Sequence, residues 1–376
     1  MGGVLPNLRS VQLVAPYLGE EEIASVADVL RSGQLAQGPV VASLEREFAE
    51  LLGVKHAVAV NSGTAAVHCA LNAIDIGEDD EVLTTPFTFA ASASPILMQR
   101  GLVGFVDIDE QTFNVDLERY AAAAGPAVKA VVAVDLFGLP YDHSGAGGLR
   151  SRGIAVIEDA CQAIGASRDG SAAGVRCDAA AFSFYATKNV ITGEGGMLVT
   201  GDDAIAASAR RFRQHGQGER YEYLELGYNY RLTDVLAAIG RAQLKRLNVL
   251  TQSRRANAAF YDEALCDLPG VTVPFVPDGA VHAYHQYTIL IDAAATPNHR
   301  NRDEVRSALE QAGIATGIYY PKPLHLHPLF GGPERSGEFP VAERVAKQVL
   351  SLPIHPALSE ADRTYVASVL KTVVGL

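Results

Sequence analysis

Several features that would narrow the function at once are missing from this chain. There is no Cys-x-x-Cys pair: Cys69, Cys161, Cys177 and Cys266 stand far apart in apolar or small-residue settings. They read as reduced, mostly buried thiols of a cytoplasmic protein. No apolar run approaches the roughly 18 residues of a membrane span. Met1 to Gln12 lack a basic start followed by an apolar core, so no secretory signal is expected. Pro6 stands where an N-myristoylation pattern beginning at Gly2 needs Ser or Thr. Positive charge is not in excess. The net charge of −12 speaks against a non-specific nucleic-acid binder, although a local pocket can still hold an anion. No stretch is dominated by charge, so disorder is not expected. Internal repeats are absent, and the only low-complexity patch is Ala121 to Ala124. Gly145-Ala146-Gly147-Gly148 and Gly193-Glu194-Gly195-Gly196 both miss G-x-G-x-x-G, which argues against a nicotinamide-dependent oxidoreductase.

What is present fits two domains, since 376 residues exceed one ordinary unit. Ile23, Val26, Ala27 and Leu30 fall at helical spacing, with Gly33 as the stop. Ser43 reads as the cap of a helix from Leu44 to Leu52. Apolar strands are expected at His56 to Val60, Glu81 to Thr84, Leu102 to Asp107, Val128 to Asp135 and Ile154 to Glu158, with helical patterns between them. That alternation predicts a largely parallel α/β sheet. Thr233-Asp234 reads as the cap of one long helix, roughly Val235 to Leu265. Beyond it, strands at Val271 to Val276 and His285 to Ile291 and helices at Arg302 to Ala312 and Val341 to Leu350 describe a smaller α+β unit. The expected division is a large domain over residues 1–245, with an N-terminal arm, and a small C-terminal domain over 246–376.

Chemistry gathers at the ends of the strands, where ligands of parallel sheets bind. The run Ala179 to Phe184 delivers Lys188 into a bend of small and hydroxyl residues. A lysine at the mouth of a buried strand loses solvation, and its amine is then more easily deprotonated and able to attack a carbonyl. Asn61-Ser62-Gly63-Thr64 joins a strand to a helix of small residues, which leaves backbone N–H groups facing outward toward an anion. The same residues also make a plain helix cap. Asp159 ends a buried strand, and Phe89 follows another. Together these meet the needs of pyridoxal phosphate. Lys188 serves the aldehyde, Asp159 the ring nitrogen, Gly63, Thr64 and Ser183 the phosphate, and Phe89 the ring face. Each has a bland alternative: Asp159 as a cap, Phe89 as core, Ser183 bonded to its own backbone. His325-x-His327 and His282-x-x-His285 lack the Cys or carboxylate partners of a metal site, so no metal is expected.

The order of motifs closely resembles the DegT/StrS-type sugar aminotransferases, fold type I enzymes that use pyridoxal phosphate. The resemblance rests on Asn61-Ser62-Gly63-Thr64-Ala65-Ala66, on Glu158-Asp159-Ala160-Cys161-Gln162-Ala163-Ile164-Gly165-Ala166, and on Phe182-Ser183-Phe184 with Lys188-Asn189. It continues in Thr192-Gly193-Glu194-Gly195-Gly196-Met197, Gly227-Tyr228-Asn229-Tyr230-Arg231 and Ser351-Leu352-Pro353-Ile354-His355-Pro356. It implies a mostly parallel central sheet flanked by helices with a smaller α+β C-terminal domain. Lys188 would be the covalent attachment point and proton carrier. Gln162 would contact the cofactor ring beside Asp159, and Asn229 would reach the phosphate from the other subunit of a homodimer. Phe89 sits where the family has a stacking aromatic. Lys188 also separates the chain from the family's dehydratase branch, which has histidine there. Tyr320, His325 and Arg231 are the candidate substrate contacts. The implied reaction moves an amino group from L-glutamate to a keto sugar linked to dTDP, UDP or GDP, through a Lys188 aldimine and pyridoxamine phosphate. The nearest alternative is a glutamine-dependent keto-cyclitol aminotransferase. A sensor that binds the cofactor without turnover is a further alternative, against which Lys188, Asp159 and Gln162 argue.

Overall fold

The computed structural model describes residues 9–376. The myristoylation reading at Gly2 and Pro6 lies outside the described residues, as does most of the segment read for a signal. Thirteen strands follow in chain order: β1 His56–Val60, β2 Glu81–Thr84, β3 Leu102–Phe105, β4 Val128–Val134, β5 Ala155–Asp159, β6 Ser167–Arg168, β7 Ser171–Ala172, β8 Ala179–Ser183, β9 Gly196–Thr200, β10 Val271–Thr272, β11 Ala280–Val281, β12 Tyr287–Ile291 and β13 Val349–Leu352. The helices are α1 Glu20–Ser32, α2 Pro39–Leu52, α3 Gly63–Ala73, α4 Ser94–Met98, α5 Leu117–Ala123, α6 Ala146–Arg150, α7 Asp203–Phe212, α8 Asp234–Lys245, α9 Leu247–Leu265, α10 Arg302–Gln311, α11 Pro340–Gln348 and α12 Glu360–Val374.

Seven strands form the central sheet in the order β1-β9-β8-β5-β4-β2-β3. The β2–β3, β2–β4, β4–β5 and β5–β8 pairs are parallel. Only β9 runs against its neighbours, β8 and β1. This is the mostly parallel α/β sheet expected from the sequence. Because β9 reverses between them, β1, β8 and β5 share one direction, and their carboxyl ends lie on one edge. Registers Val60↔Gly196, Ser183↔Gly196 and Asp159↔Ala181 fix that edge. Every residue of β8 is buried. Its three alanines leave room for α3, whose own Gly63, Ala65, Ala66, Ala70 and Leu71 are buried. A helix apolar on so many sides belongs inside the protein, against the sheet.

A second core is built on the three-stranded antiparallel sheet β10-β12-β13. Tyr261 and Leu265 of α9, Leu309 of α10 and Val366 and Leu370 of α12 pack there with Ile289 and Leu350. The hairpin of β6 and β7 pairs with β11 and ties this half to the first.

Four local expectations need correction. The expected helix from Val235 to Leu265 is two helices, broken at Arg246 (φ −102°, ψ 2°). Its guanidinium donates to the Tyr17 carbonyl at 2.9 Å and to Glu22 Oε1 at 2.6 Å, holding the joint against the start of α1. Helix α2 starts at Pro39, not after Ser43. Its cap is distant in sequence: fully buried Asp234 accepts from the amides of Gly38 and Val41, both at 2.9 Å. In α1 the face carrying Ile23 and Leu30 is exposed, and Glu22 and Val29 are the buried positions. The helical pattern ending at Leu350 stops at Gln348, because Val349 and Leu350 join the small sheet. Of the cysteines, Cys266 is exposed, and all four are free thiols. No helix among the described residues is long and apolar enough to cross a membrane.

Candidate active site

The strand edge opens into a cavity of about 380 Å³. Lining it are Ser62, Gly63, Thr64, Phe89, Asp159, Gln162, Ser183, Lys188 and Tyr320. Seven of the sequence-predicted site residues, together with Tyr320, therefore share one space.

One wall is the amino end of α3. Ser62 caps the helix, its Oγ accepting from the Ala65 amide at 3.1 Å, and its carbonyl accepts from Ala66. The Gly63 and Thr64 amides precede the first intrahelical bond and face the cavity, where the helix dipole favours an anion. Gly63 must be glycine: a Cβ would stand 2.7 Å from Cys161 Sγ and 2.9 Å from Ser183 Cβ. A Cβ at Gly196 would strike the Ser62 carbonyl, so β9 approaches the same turn as bare backbone.

Asp159 forms the opposite wall at the end of β5. It is 7% exposed, yet no cation of the described residues pairs with it. Its Oδ2 accepts from Ser92 Oγ at 2.6 Å and its Oδ1 from the Cys161 amide at 3.2 Å. Ser92 Oγ is itself 2.9 Å from Thr88 Oγ1. A buried carboxylate held by two neutral donors is costly unless a positive group meets it. Beside it, Gln162 Oε1 accepts from the Phe137 amide at 2.8 Å, and its Nε2 points to the Tyr320 hydroxyl at 3.4 Å. Burial, then the charge of Asp159, raises the Tyr320 phenol, which stays protonated.

Lys188 leaves the bend after β8. Its amide donates to the Tyr185 carbonyl, and Phe184 and Ala186 bond across to Gly195 and Gly193. The glycine-rich second segment thus braces the bend that presents the lysine. Burial draws the Lys188 ammonium below the usual lysine range, while Cys161 and Asp159 oppose the shift. Burial raises the Cys161 thiol, so it is not a competing nucleophile. His285 also lines the cavity, and burial followed by the Lys188 charge keeps it neutral.

Phe89 sits at the cavity mouth, 58% exposed, its ring 6.2 Å from that of Tyr320 and tilted by 33°. Three predicted residues lie elsewhere. His325 is fully buried, its Nε2 3.1 Å from Glu343 Oε1 and its ring against Phe339, and does not line the cavity. Asn229 and Arg231 are also outside it. Tyr228 and Tyr230 stack on each other and pack on His68, which turns the intervening Asn229 out to solvent. No group of three metal-ligating side chains exists among the described residues. His282 instead accepts from the Tyr284 amide, and burial lowers its pKa to about 3.

Sequence reading missed Ser92, Arg254 and Tyr319, and weighed His285 only as a metal ligand. Ser92 carries no local signal: it matters through one bond to a strand 67 residues away.

The residues fit pyridoxal phosphate on three counts: an unpaired buried carboxylate, an amine depressed by burial, and helix-end amides beside a glycine that admits no side chain. A model described as the DegT/DnrJ/EryC1/StrS aminotransferase family matches residues 16–371. The chain is 41% identical over 353 residues to a "pleiotropic regulatory protein" of Geobacillus stearothermophilus, covering 92% of each. It is 38% identical over 356 residues, 94% of each, to a UDP-N-acetyl-3-dehydro-α-D-glucosamine 3-aminotransferase of Acidithiobacillus ferrooxidans. DesV of S. venezuelae, solved in complex with a ketimine intermediate, superposes with a TM-score of 0.89 at 34% identity, covering 95% of each chain.

Proposed function

The chain belongs to the DegT/DnrJ/EryC1/StrS aminotransferase family, and from that premise we propose that it moves an amino group from L-glutamate to a keto sugar linked to a nucleoside diphosphate. The observation that carries this is the meeting of Lys188, Asp159 and the amino end of α3 in one cavity. The name of the A. ferrooxidans relative supports a UDP-linked 3-oxo sugar among the possible acceptors.

Lys188 would hold pyridoxal phosphate, with Asp159 at the ring nitrogen, Gln162 beside the ring, Phe89 over its face, and Gly63, Thr64 and Ser183 at the phosphate. When bound, the cofactor supplies a carbonyl that accepts an amine and a ring that takes up electron density. The remaining work belongs to the chain. With the cofactor held there, the Lys188 amine would stand within reach of the reacting carbons and would take a proton from one and return it to another. Burial favours the neutral amine that this task requires. Asp159, fixed by Ser92 and the Cys161 amide, keeps its charge aimed into the cavity. Tyr320 donates or accepts at the acceptor side, and its protonated phenol makes it a donor at neutral pH.

We place Asn229 in the partner's cavity within a homodimer. Support comes from its outward position and from the exposed apolar groups Tyr221, Tyr223, Leu224 and Leu226 just before it in the chain. Apolar exposure of this kind marks an association surface. The test is spectroscopic. The yellow protein should bleach with L-glutamate and regain colour with a nucleotide-linked keto sugar. Return of colour with an inosose but with no nucleotide sugar would overturn the assignment of the acceptor.

A further inference from the structure

Three arginines are almost wholly buried: Arg213, Arg254 and Arg302, at 6%, 5% and 6% exposure. Two have carboxylates. Arg213 pairs with Glu45, and Arg302 donates to Asp303 at 2.6 Å. Arg254, near the middle of α9, has none within 4 Å among the described residues. Its Nη1 donates to the backbone carbonyls of Tyr284 and His285, at 3.1 and 3.2 Å. Its Nε has no partner. The side chain lines the main cavity and also a small one adjoining Lys188. Burial alone pulls its pKa down to about 10, which leaves it charged at neutral pH. A buried cation held only by neutral carbonyls is costly, and an anion bidentate on its fork would offset the cost.

Among the groups that line this cavity, Lys188 and Arg254 are the cationic side chains, and His285 is neutral there. Asp159 stands on the ring-nitrogen wall. The amides of α3 would already be taken by the cofactor phosphate. A compact carboxylate on the carbon next to the reacting nitrogen fits beside Lys188.

We propose that Arg254 anchors the α-carboxylate of the amino donor. The inference rests on the cofactor reading above and adds that the donor is recognised as an α-amino acid. Arg254 would be a specificity-determining contact for the first half of the reaction only. The donor KM should then rise about a hundredfold in R254M, the loss of one charge-assisted pair, with the KM of the keto sugar unchanged.

The test uses the holoenzyme and two reagents that displace Lys188 from the cofactor, read as loss of the yellow absorbance. Aminooxyacetate carries a carboxylate, and methoxyamine does not. Wild type should react faster with aminooxyacetate. In R254M that rate should fall about a hundredfold, and in R254K about tenfold, with methoxyamine rates within about twofold of wild type in both. R254K keeps the charge and most of the reach, so it serves as the test if R254M does not fold. Equal slowing of both reagents would show that Arg254 only holds the 284–285 backbone, and would overturn the proposal, as would unchanged rates with both. A wild type that is not yellow, or that reacts with neither reagent, would instead sink the cofactor reading beneath it.

Discussion

At the scale of single residues, the site separates groups that act by charge from groups that act by shape. Asp159 belongs to the first kind. Asparagine in its place would keep the Cys161 bond through its oxygen and reverse the Ser92 bond, its amide nitrogen donating to Ser92 Oγ, but would lose the charge, so D159N should fold and yet turn over roughly a thousandfold more slowly. The cofactor-free variant should be at least as stable as wild type, since a buried unpaired charge is removed. Denaturant titration beside steady-state rates checks both halves. Lys188 gives a pH signature. Its pKa is lower in the folded chain than in the unfolded one, where about 10.4 is normal, so the unfolded chain binds more protons in the interval between them. Stability of the cofactor-free protein therefore rises with pH through that interval, and the penalty is full below it. Relative to K188M, the wild type should gain stability as pH climbs toward about 10.4. A difference between the two that stays flat over that range would contradict a buried, depressed amine. Gly63 acts by shape, since two neighbours already occupy the place of a Cβ.

At the scale of elements, the strands of the central sheet and the two glycine-rich turns were legible because local patterns encode them: apolar runs for the strands, small residues for the turns. The two-residue strands β6, β7 and β11 were not, and the start of β13 was read as the end of a helix. Thr233 capping α8 was equally legible, its Oγ1 accepting from the Leu236 amide at 3.3 Å. The start of α2 was not, because its cap is Asp234, whose bonds to Gly38 and Val41 span nearly 200 positions. The break at Arg246 was hidden for the same reason, resting on Tyr17 and Glu22. The site divided along the same line. Lys188, Asp159, Gln162 and Thr64 sit in contiguous motifs, whereas Ser92 and Arg254 enter only through tertiary contact. His325 illustrates the opposite error: it lies in a suggestive segment, but the fold buries it against Glu343. The distant cap supplies a prediction. D234A should destabilise the protein by about 2–4 kcal/mol, because it strips a buried charged acceptor from the first turn of α2. A loss of under about 0.5 kcal/mol by denaturant unfolding would show that water or backbone replaces the carboxylate.

At the scale of the whole molecule, the proposal requires two chains per working site. Neither a K188A homodimer nor an N229A homodimer should show full activity. Mixed and allowed to exchange, the two should regain about a quarter of wild-type activity, since half the dimers are hybrids and each hybrid has one intact site. No recovery on mixing would place Asn229 and Lys188 in separate functions. Beneath all of this lies one covalent claim, that the amine of Lys188 carries the cofactor. Borohydride reduction of the yellow protein, followed by intact-mass measurement and peptide mapping, tests it directly. The account predicts one reduced cofactor per chain, on the peptide that contains Lys188. Label on any other residue, or none at all, would contradict it.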